Sequence, residues 1–215
     1  MNRLRKEENN PGQGAPTFFI HTFGCQMNES DSEHIAGLLT AYGWQKVDLP
    51  EESRLVIVNT CAVRAKSVEK FSSLLGRLKE LKRKYGTKIA VVGCVAQLEG
   101  EDLLKLHPEI DFILGPDNYA DLPKMIERQE RQAATAWSVH WREHPPSLIL
   151  RESQVSAYVP VMEGCNNFCT YCIVPFVRGR EKYRPARFIL EEIQELARSG
   201  FLEVQLLGQS ITSYR

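Results

Sequence analysis

Three cysteines lie close together in a segment that follows an apolar, strand-like run. They are Cys165, Cys169 and Cys172, at offsets of four and three residues. A loop of this length can wrap one compact metal centre. Structural zinc takes four protein ligands, and neither a fourth cysteine nor a nearby histidine follows in this loop. Three thiolates suit a four-iron cluster with one open iron, and we favour this interpretation over zinc.

A second group of three cysteines is spread over the first half of the chain. Cys25, Cys61 and Cys94 each follow a run of strand-forming residues. Because the carboxyl ends of parallel strands share one edge of an open α/β sheet, we expect the three thiols to converge. Each precedes a predicted helix start, where free N–H groups favour an anionic ligand, and Ser30 and Glu33 form a capping-box pattern for the first helix. The alternative is three buried structural cysteines.

Short apolar runs alternate with segments of helical period from residue 17 onward, which predicts an α/β fold in βαβα order. Strands are predicted over residues 17–23, 55–59, 88–92 and 111–114, and helices over residues 30–42, 65–85, 97–106 and 119–132. These runs are continuously apolar, as in parallel strands covered on both faces. We therefore predict a doubly wound parallel-sheet domain over residues 17–132, after a disordered tail over residues 1–16.

The rest of the chain predicts a connection followed by the beginning of a second domain. Residues 133–154 lack clear periodicity. After them, a strand is predicted over residues 157–162, a long loop over 164–184, a helix over 185–199 and a strand over 203–207. This is one βαβ unit, so residues 155–215 are expected to form an incomplete domain.

The composition is that of a globular protein, with 43% hydrophobic and 25% charged residues. Lys+Arg 27 balance Asp+Glu 27, so the overall charge predicts no attraction to nucleic acid or membrane. No apolar run is long enough to span a bilayer or to serve as a signal peptide, which predicts a cytoplasmic protein without a membrane partner. In that compartment six cysteines indicate reduced ligands rather than disulfides.

Two stretches are locally basic. Residues 64–88 hold nine Lys/Arg against two Glu, and residues 178–187 hold five against one. A solvated helix face explains the first stretch, and we favour that interpretation over phosphate binding. For the second, which includes Arg178, we predict contacts with RNA phosphates or with the carboxylate of a cofactor.

Five motifs resemble the radical S-adenosylmethionine methylthiotransferase family, over residues 17–215. They are TFGCQMNESDSE at residues 22–33, NTCAVR at 59–64, GCVAQ at 93–97, the whole stretch 164–185, and LLGQ at 206–209. The resemblance implies S-adenosylmethionine and two [4Fe-4S] clusters: a radical-generating one on the loop thiols and a sulfur-carrying one on Cys25, Cys61 and Cys94. It further implies that the second domain is the truncated start of a partial (β/α) barrel. Gly208 and Gln209, together with Arg178, are the expected cofactor contacts.

The pair Gln26 and Met27 resembles the branch of the family that inserts a methylthio group at C2 of N6-isopentenyladenosine, next to the anticodon of tRNA. The alternatives are methylthiolation of a ribosomal-protein aspartate and, from another class, a non-catalytic zinc-binding RNA module. The resemblance implies tRNA and an electron donor such as flavodoxin or ferredoxin as partners of a monomer. Family members continue into the remaining barrel and an RNA-binding β-domain, so this chain alone is expected to be inactive. Tyr183 and Ser210 depart from the family pattern.

Overall fold

The computed structural model describes residues 14–63, 65–141 and 145–215. Most of the predicted tail, residues 1–13, lies outside the described residues.

The N-terminal part is built on one six-stranded sheet, in which every neighbouring pair is parallel. Its strands are β1 (Thr17–Thr22), β2 (Gln45–Lys46), β3 (Leu55–Thr60), β4 (Lys88–Gly93), β5 (Phe112–Leu114) and β6 (Gln132–Ala134). Their order is β2-β1-β3-β4-β5-β6. Every residue of β3 is buried, which explains why its sequence is continuously apolar until Asn59.

Helices cover both faces of this sheet, so the predicted doubly wound α/β fold is confirmed. They are α1 (Gln26–Ala41), α2 (Ala65–Tyr85), α3 (Cys94–Leu106) and α4 (Leu122–Arg128). On one face, Leu39 of α1 and Leu122 of α4 pack against the sheet. On the other face, Leu78 of α2 and Leu103 of α3 do so. Parallel strands connected in this way bring all their carboxyl ends to a single edge.

Two predictions about local structure in the N-terminal part were wrong. Helix α1 begins at Gln26 with Cys25 as its N-cap, so Ser30 lies buried inside the helix and forms no capping box. The predicted helix over residues 119–132 is a 3-10 turn (Pro116–Asp121), then α4, then β6. Gln129 ends α4 in a left-handed conformation with φ 57°, after which the chain returns to the sheet.

The C-terminal part contains the predicted βαβ unit. Its elements are β7 (Ser156–Pro160), β8 (Met162–Glu163), α5 (Val174–Val177), β9 (Lys182–Tyr183), α6 (Ala186–Arg198) and β10 (Glu203–Leu207). Strands β7 and β10 are parallel, and α6 packs against them through Ile189 and Leu196. The single strand predicted over residues 157–162 is divided, because the chain leaves β7 and pairs β8 antiparallel with β9. This hairpin closes the base of the cysteine loop.

The connection holds the two parts together by packing along α1. The N–H of Leu150 donates to the Glu33 carbonyl at 3.2 Å. A Cβ at Gly37 would lie 1.4 Å from the Leu148 carbonyl oxygen, so only glycine permits this close approach. Arg151 then pairs with the Glu33 side chain at 2.8 Å. Within the described ranges, no helix combines the length and the apolar character needed to cross a membrane.

Candidate metal centres

The three separated cysteines follow neighbouring strands of the sheet. Cys25, Cys61 and Cys94 come after β1, β3 and β4, which lie side by side. The strands are in register, with Thr22 opposite Asn59 and Asn59 opposite Val92. Because neighbouring strands are about 4.8 Å apart, the outer two strand ends are about 10 Å apart. We call these three residues the strand-tip site.

Glycines before two of these cysteines allow the strand ends to approach closely. A Cβ at Gly24 would lie 2.9 Å from the Cβ of Cys61. A Cβ at Gly93, where φ is +91°, would lie 2.5 Å from Asn59 Oδ1 and 2.6 Å from the Thr60 carbonyl oxygen. Any larger residue would therefore push the strand ends apart.

Two buried asparagines connect the strand ends beneath the thiols. Asn28 Nδ2 donates to Asn59 Oδ1 at 2.9 Å and to the Thr60 carbonyl at 3.1 Å. Asn59 Nδ2 donates to the Asn28 carbonyl at 2.8 Å and to Ser32 Oγ at 3.0 Å. These partners fix both amides and tie α1 to β3. Sequence reasoning gave these residues no role, although an asparagine in a continuously apolar strand indicates a buried hydrogen-bond network.

The Cys25 sulfur lies in surroundings that favour the thiolate. A hydrogen bond from Cys61 lowers the pKa of Cys25 to about 5, and the nearby N–H groups of Asn28 and Met27 and the charge of Arg178 act in the same direction. The neutral thiol reaches Asn28 Oδ1 at 3.4 Å. Because a thiolate is the form that binds metals, this site is prepared for a metal centre.

In the metal-free chain, we expect iodoacetamide to alkylate Cys25 with a half-maximal rate near pH 5, because the pKa of this thiol is lowered to about 5. Since the folded pKa lies below the ordinary one, the thiolate stabilises the fold at high pH, and this stabilisation is lost as the pH falls through about 5. Mass spectrometry of the Cys25 peptide measures the rate. In Cys61→Ala the midpoint should rise by more than one pH unit, and an unchanged midpoint would contradict the role given to Cys61.

The other three cysteines lie in the loop closed by β8 and β9, which we call the loop site. Cys165 is buried, Cys172 is half-buried and Cys169 is exposed. The Cys165 N–H donates to the Gly179 carbonyl at 3.1 Å, and the Cys172 N–H donates to the Cys169 carbonyl at 3.0 Å. The loop therefore folds back on itself, with its thiols at different depths.

Several side chains fix this loop from below. Gln209 Oε1, at the end of β10, accepts a hydrogen bond from the Gly164 N–H at 2.6 Å. On the other side, Asn166 and Glu181 exchange hydrogen bonds of 3.2 to 3.4 Å. The Tyr183 hydroxyl donates to Glu181 at 2.5 Å and lowers the pKa of that carboxyl. The departure from the family pattern at Tyr183 thus supports the loop.

The predicted cofactor contacts at the end of β10 have structural partners in this arrangement. Gln209 holds the start of the loop, and a Cβ at Gly208 would lie 2.5 Å from Met162 Cγ. Both residues are therefore close to the loop site. That Gly208 and Gln209 bind a cofactor stays a prediction.

A cluster of buried charges lies where the two parts of the chain meet. Arg178 is 3% exposed, and its Nη2 donates to Asp31 of α1 at 2.6 Å. Lys182 pairs with Asp117 and lies 3.4 Å from Glu163. Burial raises the pKa of Asp31 and of Glu163, and the charge of Arg178 opposes this in both cases. We call these five residues the interface ion cluster.

The prediction that the basic stretch over residues 178–187 faces RNA phosphates was wrong for three of its five cations. Arg178, Lys182 and Arg184 are buried and paired with carboxylates. Arg180 and Arg187 are exposed. That Arg178 contacts a cofactor carboxylate stays a prediction.

In the other basic stretch, cations that the structure describes lie on a solvated face of α2. Arg77, Lys79, Arg83 and Lys84 are exposed. Lys82 and Lys88 instead pair with Asp111, at 2.6 Å and 3.2 Å. Arg64 and the side chains at residues 66 and 70 lie outside the described residues. This distribution agrees with the solvated-face interpretation.

The two cysteine sites are close neighbours in the fold. Helix α3, which begins with Cys94, packs against α5, which follows Cys172. The charge of Arg178, which follows α5, lowers the pKa of Cys25. Beside the loop, a cavity of about 550 Å³ is lined by Trp137, Phe168 and Phe176, among others. This volume lies within the range of small-molecule sites.

Each site fits an iron–sulfur cluster by the chemistry of its ligands. Within residues 14–63, 65–141 and 145–215, no three Cys, His, Asp or Glu side chains meet at one point as a single metal ion requires. A four-iron cluster needs wider spacing, because each thiolate binds a different iron. Three thiols at each site leave a fourth position to another ligand.

Comparisons with known proteins give the class of the chain in two parts. Residues 17–115 match the family described as uncharacterized protein family UPF0004, and residues 159–215 match the radical SAM superfamily. The strand-tip site thus lies in a UPF0004 segment and the loop site in part of a radical SAM domain.

The chain is 46% identical over 203 residues to a tRNA-2-methylthio-N(6)-dimethylallyladenosine synthase of Thermodesulfovibrio yellowstonii, covering 92% of this chain and 46% of the relative. Relatives with the same name from Chlorobium luteolum and Thermotoga petrophila are 44% and 46% identical, over 92% of this chain and 45% and 44% of theirs. The chain spans about half the length of these relatives. Their names confirm the resemblance to methylthiotransferases.

A solved structure shares the fold. It is a radical S-adenosylmethionine methyltransferase, TsrM, from Kitasatospora setae, with a TM-score of 0.58 and 11% sequence identity. The match covers 93% of this chain and 49% of that one. At this identity the likeness concerns the fold alone.

Proposed function

We propose that this chain carries both metal centres of a cytoplasmic enzyme that inserts a methylthio group at C2 of N6-isopentenyladenosine in tRNA, next to the anticodon. The cofactors are two [4Fe-4S] clusters, one at each cysteine site, and S-adenosylmethionine. One observation carries the proposal: the two segments that hold the two groups of three cysteines pack against each other, with α3 against α5 and Asp31 of α1 bound to Arg178. This packing would place a sulfur-carrying cluster, held by Cys25, Cys61 and Cys94, next to a radical-generating cluster held by Cys165, Cys169 and Cys172.

When bound, the clusters and S-adenosylmethionine supply the radical and sulfur chemistry that protein side chains lack. The chain itself holds the thiolates and orients them. Asn28 and Asn59 fix the strand ends, and Gln209, Asn166 and Glu181 fix the loop. The ion pairs of the interface ion cluster hold the two segments together.

The choice of tRNA as substrate is supported by the names of the relatives and by the pair after the first cysteine. Gln26 is exposed at the start of α1, whereas Met27 is 4% exposed and packs in the interior. Of this pair, Gln26 is therefore the one placed to contact a substrate. An electron donor such as flavodoxin or ferredoxin and a monomeric state belong to the same proposal.

Metal analysis tests the proposal directly. Prepared without oxygen, the chain should be brown and contain about eight irons and eight sulfides, from two four-iron clusters. A colourless chain with stoichiometric zinc would support the non-catalytic RNA-binding module instead. Structural zinc takes four ligands, and the loop supplies three.

Cysteine variants should separate the two sites. We expect the triple variant Cys165→Ala, Cys169→Ala, Cys172→Ala to lose cleavage of S-adenosylmethionine. The variant Cys25→Ala, Cys61→Ala, Cys94→Ala should retain cleavage and lose sulfur insertion. Both variants are made in a chimeric protein, in which this chain is extended by the remaining part of the Thermodesulfovibrio yellowstonii relative. Cleavage of S-adenosylmethionine and insertion of sulfur are assayed separately in this protein. The same outcome for both variants would contradict the division of roles.

The completed chain also decides the substrate. It is assayed with tRNA that contains N6-isopentenyladenosine and, in parallel, with the ribosomal protein whose aspartate the other branch modifies. We expect a methylthio product on the tRNA alone. Product on the protein would assign the chain to the other branch.

A further inference from the structure

One nitrogen of the buried Arg178 has no hydrogen-bond partner among the described residues. Its Nη2 donates to Asp31 at 2.6 Å, but its Nη1 lies 3.6 Å from Glu163 Oε1, which is too long for a hydrogen bond. The side chain is only 3% exposed, so bulk water does not satisfy this nitrogen. A buried donor left without an acceptor is destabilising, and a native one requires an explanation.

The position of the guanidinium indicates what that acceptor is. Arg178 directly follows α5, which packs against α3, and α3 begins with Cys94. Its partner Asp31 lies on α1, whose N-cap is Cys25. The guanidinium is thus held between the two helices that begin at thiols of the strand-tip site. Asp31 orients it from α1. Arg178, however, belongs to the radical SAM segment, six residues after Cys172.

We propose that Nη1 of Arg178 donates a hydrogen bond to an anionic sulfur atom held at the strand-tip site. Arginine suits this role, because it stays charged and its planar group bonds two acceptors at once. One nitrogen is held by Asp31, and the other is left for the ligand. The sulfur-holding site of the N-terminal segment is thus completed by a residue of the C-terminal segment. This inference rests on the proposed function, which places a cluster at the strand-tip site.

Anionic sulfur at this site has two sources, and separate measurements distinguish them. The chain carries Cys165→Ala, Cys169→Ala and Cys172→Ala, so that only the strand-tip cluster is loaded. Titration with sodium hydrosulfide, followed by electron paramagnetic resonance, gives the affinity for an added sulfur ligand. The midpoint potential without added hydrosulfide reports a hydrogen bond to the sulfur of the cluster itself.

Two variants remove the donor in different ways. The double variant Arg178→Met, Asp31→Leu replaces the buried pair by apolar side chains, which folded proteins commonly tolerate. Arg178→Lys keeps a charge beside Asp31 and loses the second donor. We expect the double variant to bind hydrosulfide about 10-fold to 100-fold more weakly, because a hydrogen bond to a charged group is lost. Arg178→Lys should also bind hydrosulfide more weakly, but by a smaller factor. Arg187→Met, at an exposed arginine, is the control and should bind normally.

The outcomes separate the inference from the proposed function. If the variants bind hydrosulfide more weakly, Arg178 donates to an added sulfur ligand. If only their midpoint potential falls, Arg178 donates to a sulfur atom of the cluster itself. If both variants load iron and neither quantity changes, Arg178 has a structural role and the inference is overturned. If the double variant fails to load iron, the same two measurements on Arg178→Lys test the inference. A parent chain that loads no cluster overturns the proposed function, and the inference with it.

Discussion

Replacement of Glu192 by alanine is expected to lower the free energy of unfolding by about 3–5 kcal/mol, because it removes a buried carboxylate that pairs with two arginines, one of them the buried Arg184. Glu192 lies on α6, is 1% exposed and pairs with both Arg151 and Arg184. Arg151 also pairs with Glu33 of α1 at 2.8 Å. The chain of charges thus runs from the N-terminal helix to the C-terminal one. Its loss should loosen the contact between the two parts of the molecule.

A matched control lies one turn further along the same helix. Glu195 pairs with Arg198 at 3.1 Å, but both side chains are more than half exposed. Such surface pairs contribute about 0.2–1 kcal/mol, so Glu195→Ala should have a small effect. Urea unfolding followed by circular dichroism measures both variants. Equal losses for the two would show that burial of Glu192 does not determine its contribution.

The sequence was most informative where the chemistry repeats along the chain. Continuous apolar runs indicated parallel strands, and a cysteine after each of three runs indicated one shared edge. The structure confirms that β1, β3 and β4 are neighbours and that Cys25 and Cys61 are in contact. Helix α2 begins and ends at the residues that its periodicity predicts. Strong periodicity over many residues leaves few alternatives.

The sequence was least informative where a residue's role depends on distant partners. A run of arginines and lysines looks the same whether it faces solvent or fills an interface, and Arg178 lies 147 positions from its partner Asp31. The strand β6 was missed because three residues without alternation carry little pattern. The early start of α1 was missed because cysteine is an uncommon N-cap. In each case tertiary contacts decide the structure.

Substitution of either of two glycines next to the cysteine sites should cause the loss of one cluster. Gly93→Ala places a Cβ 2.5 Å from Asn59 Oδ1 and 2.6 Å from a backbone oxygen, which forces the strand ends apart. Gly164→Ala places a Cβ 2.2 Å from the carbonyl oxygen of Arg180, which opens the base of the loop. Because each variant disturbs one site, we expect iron to fall from about eight to about four per chain in either. Electron paramagnetic resonance identifies the cluster that remains.

Gly86→Ala provides the control, because it introduces backbone strain without a steric clash of the added Cβ. Gly86 also has a positive φ, +71°, but a Cβ there meets nothing within 4 Å. Its substitution should therefore cost about 1–2 kcal/mol of stability, from the left-handed backbone alone, and leave the iron content unchanged. If Gly86→Ala lost as much iron as Gly93→Ala, general destabilisation would explain the effect. Loss of the loop cluster in Gly93→Ala, with the strand-tip cluster intact, would contradict the assignment of the two sites, because a Cβ at residue 93 would meet Asn59 and Thr60 beneath the strand-tip thiols.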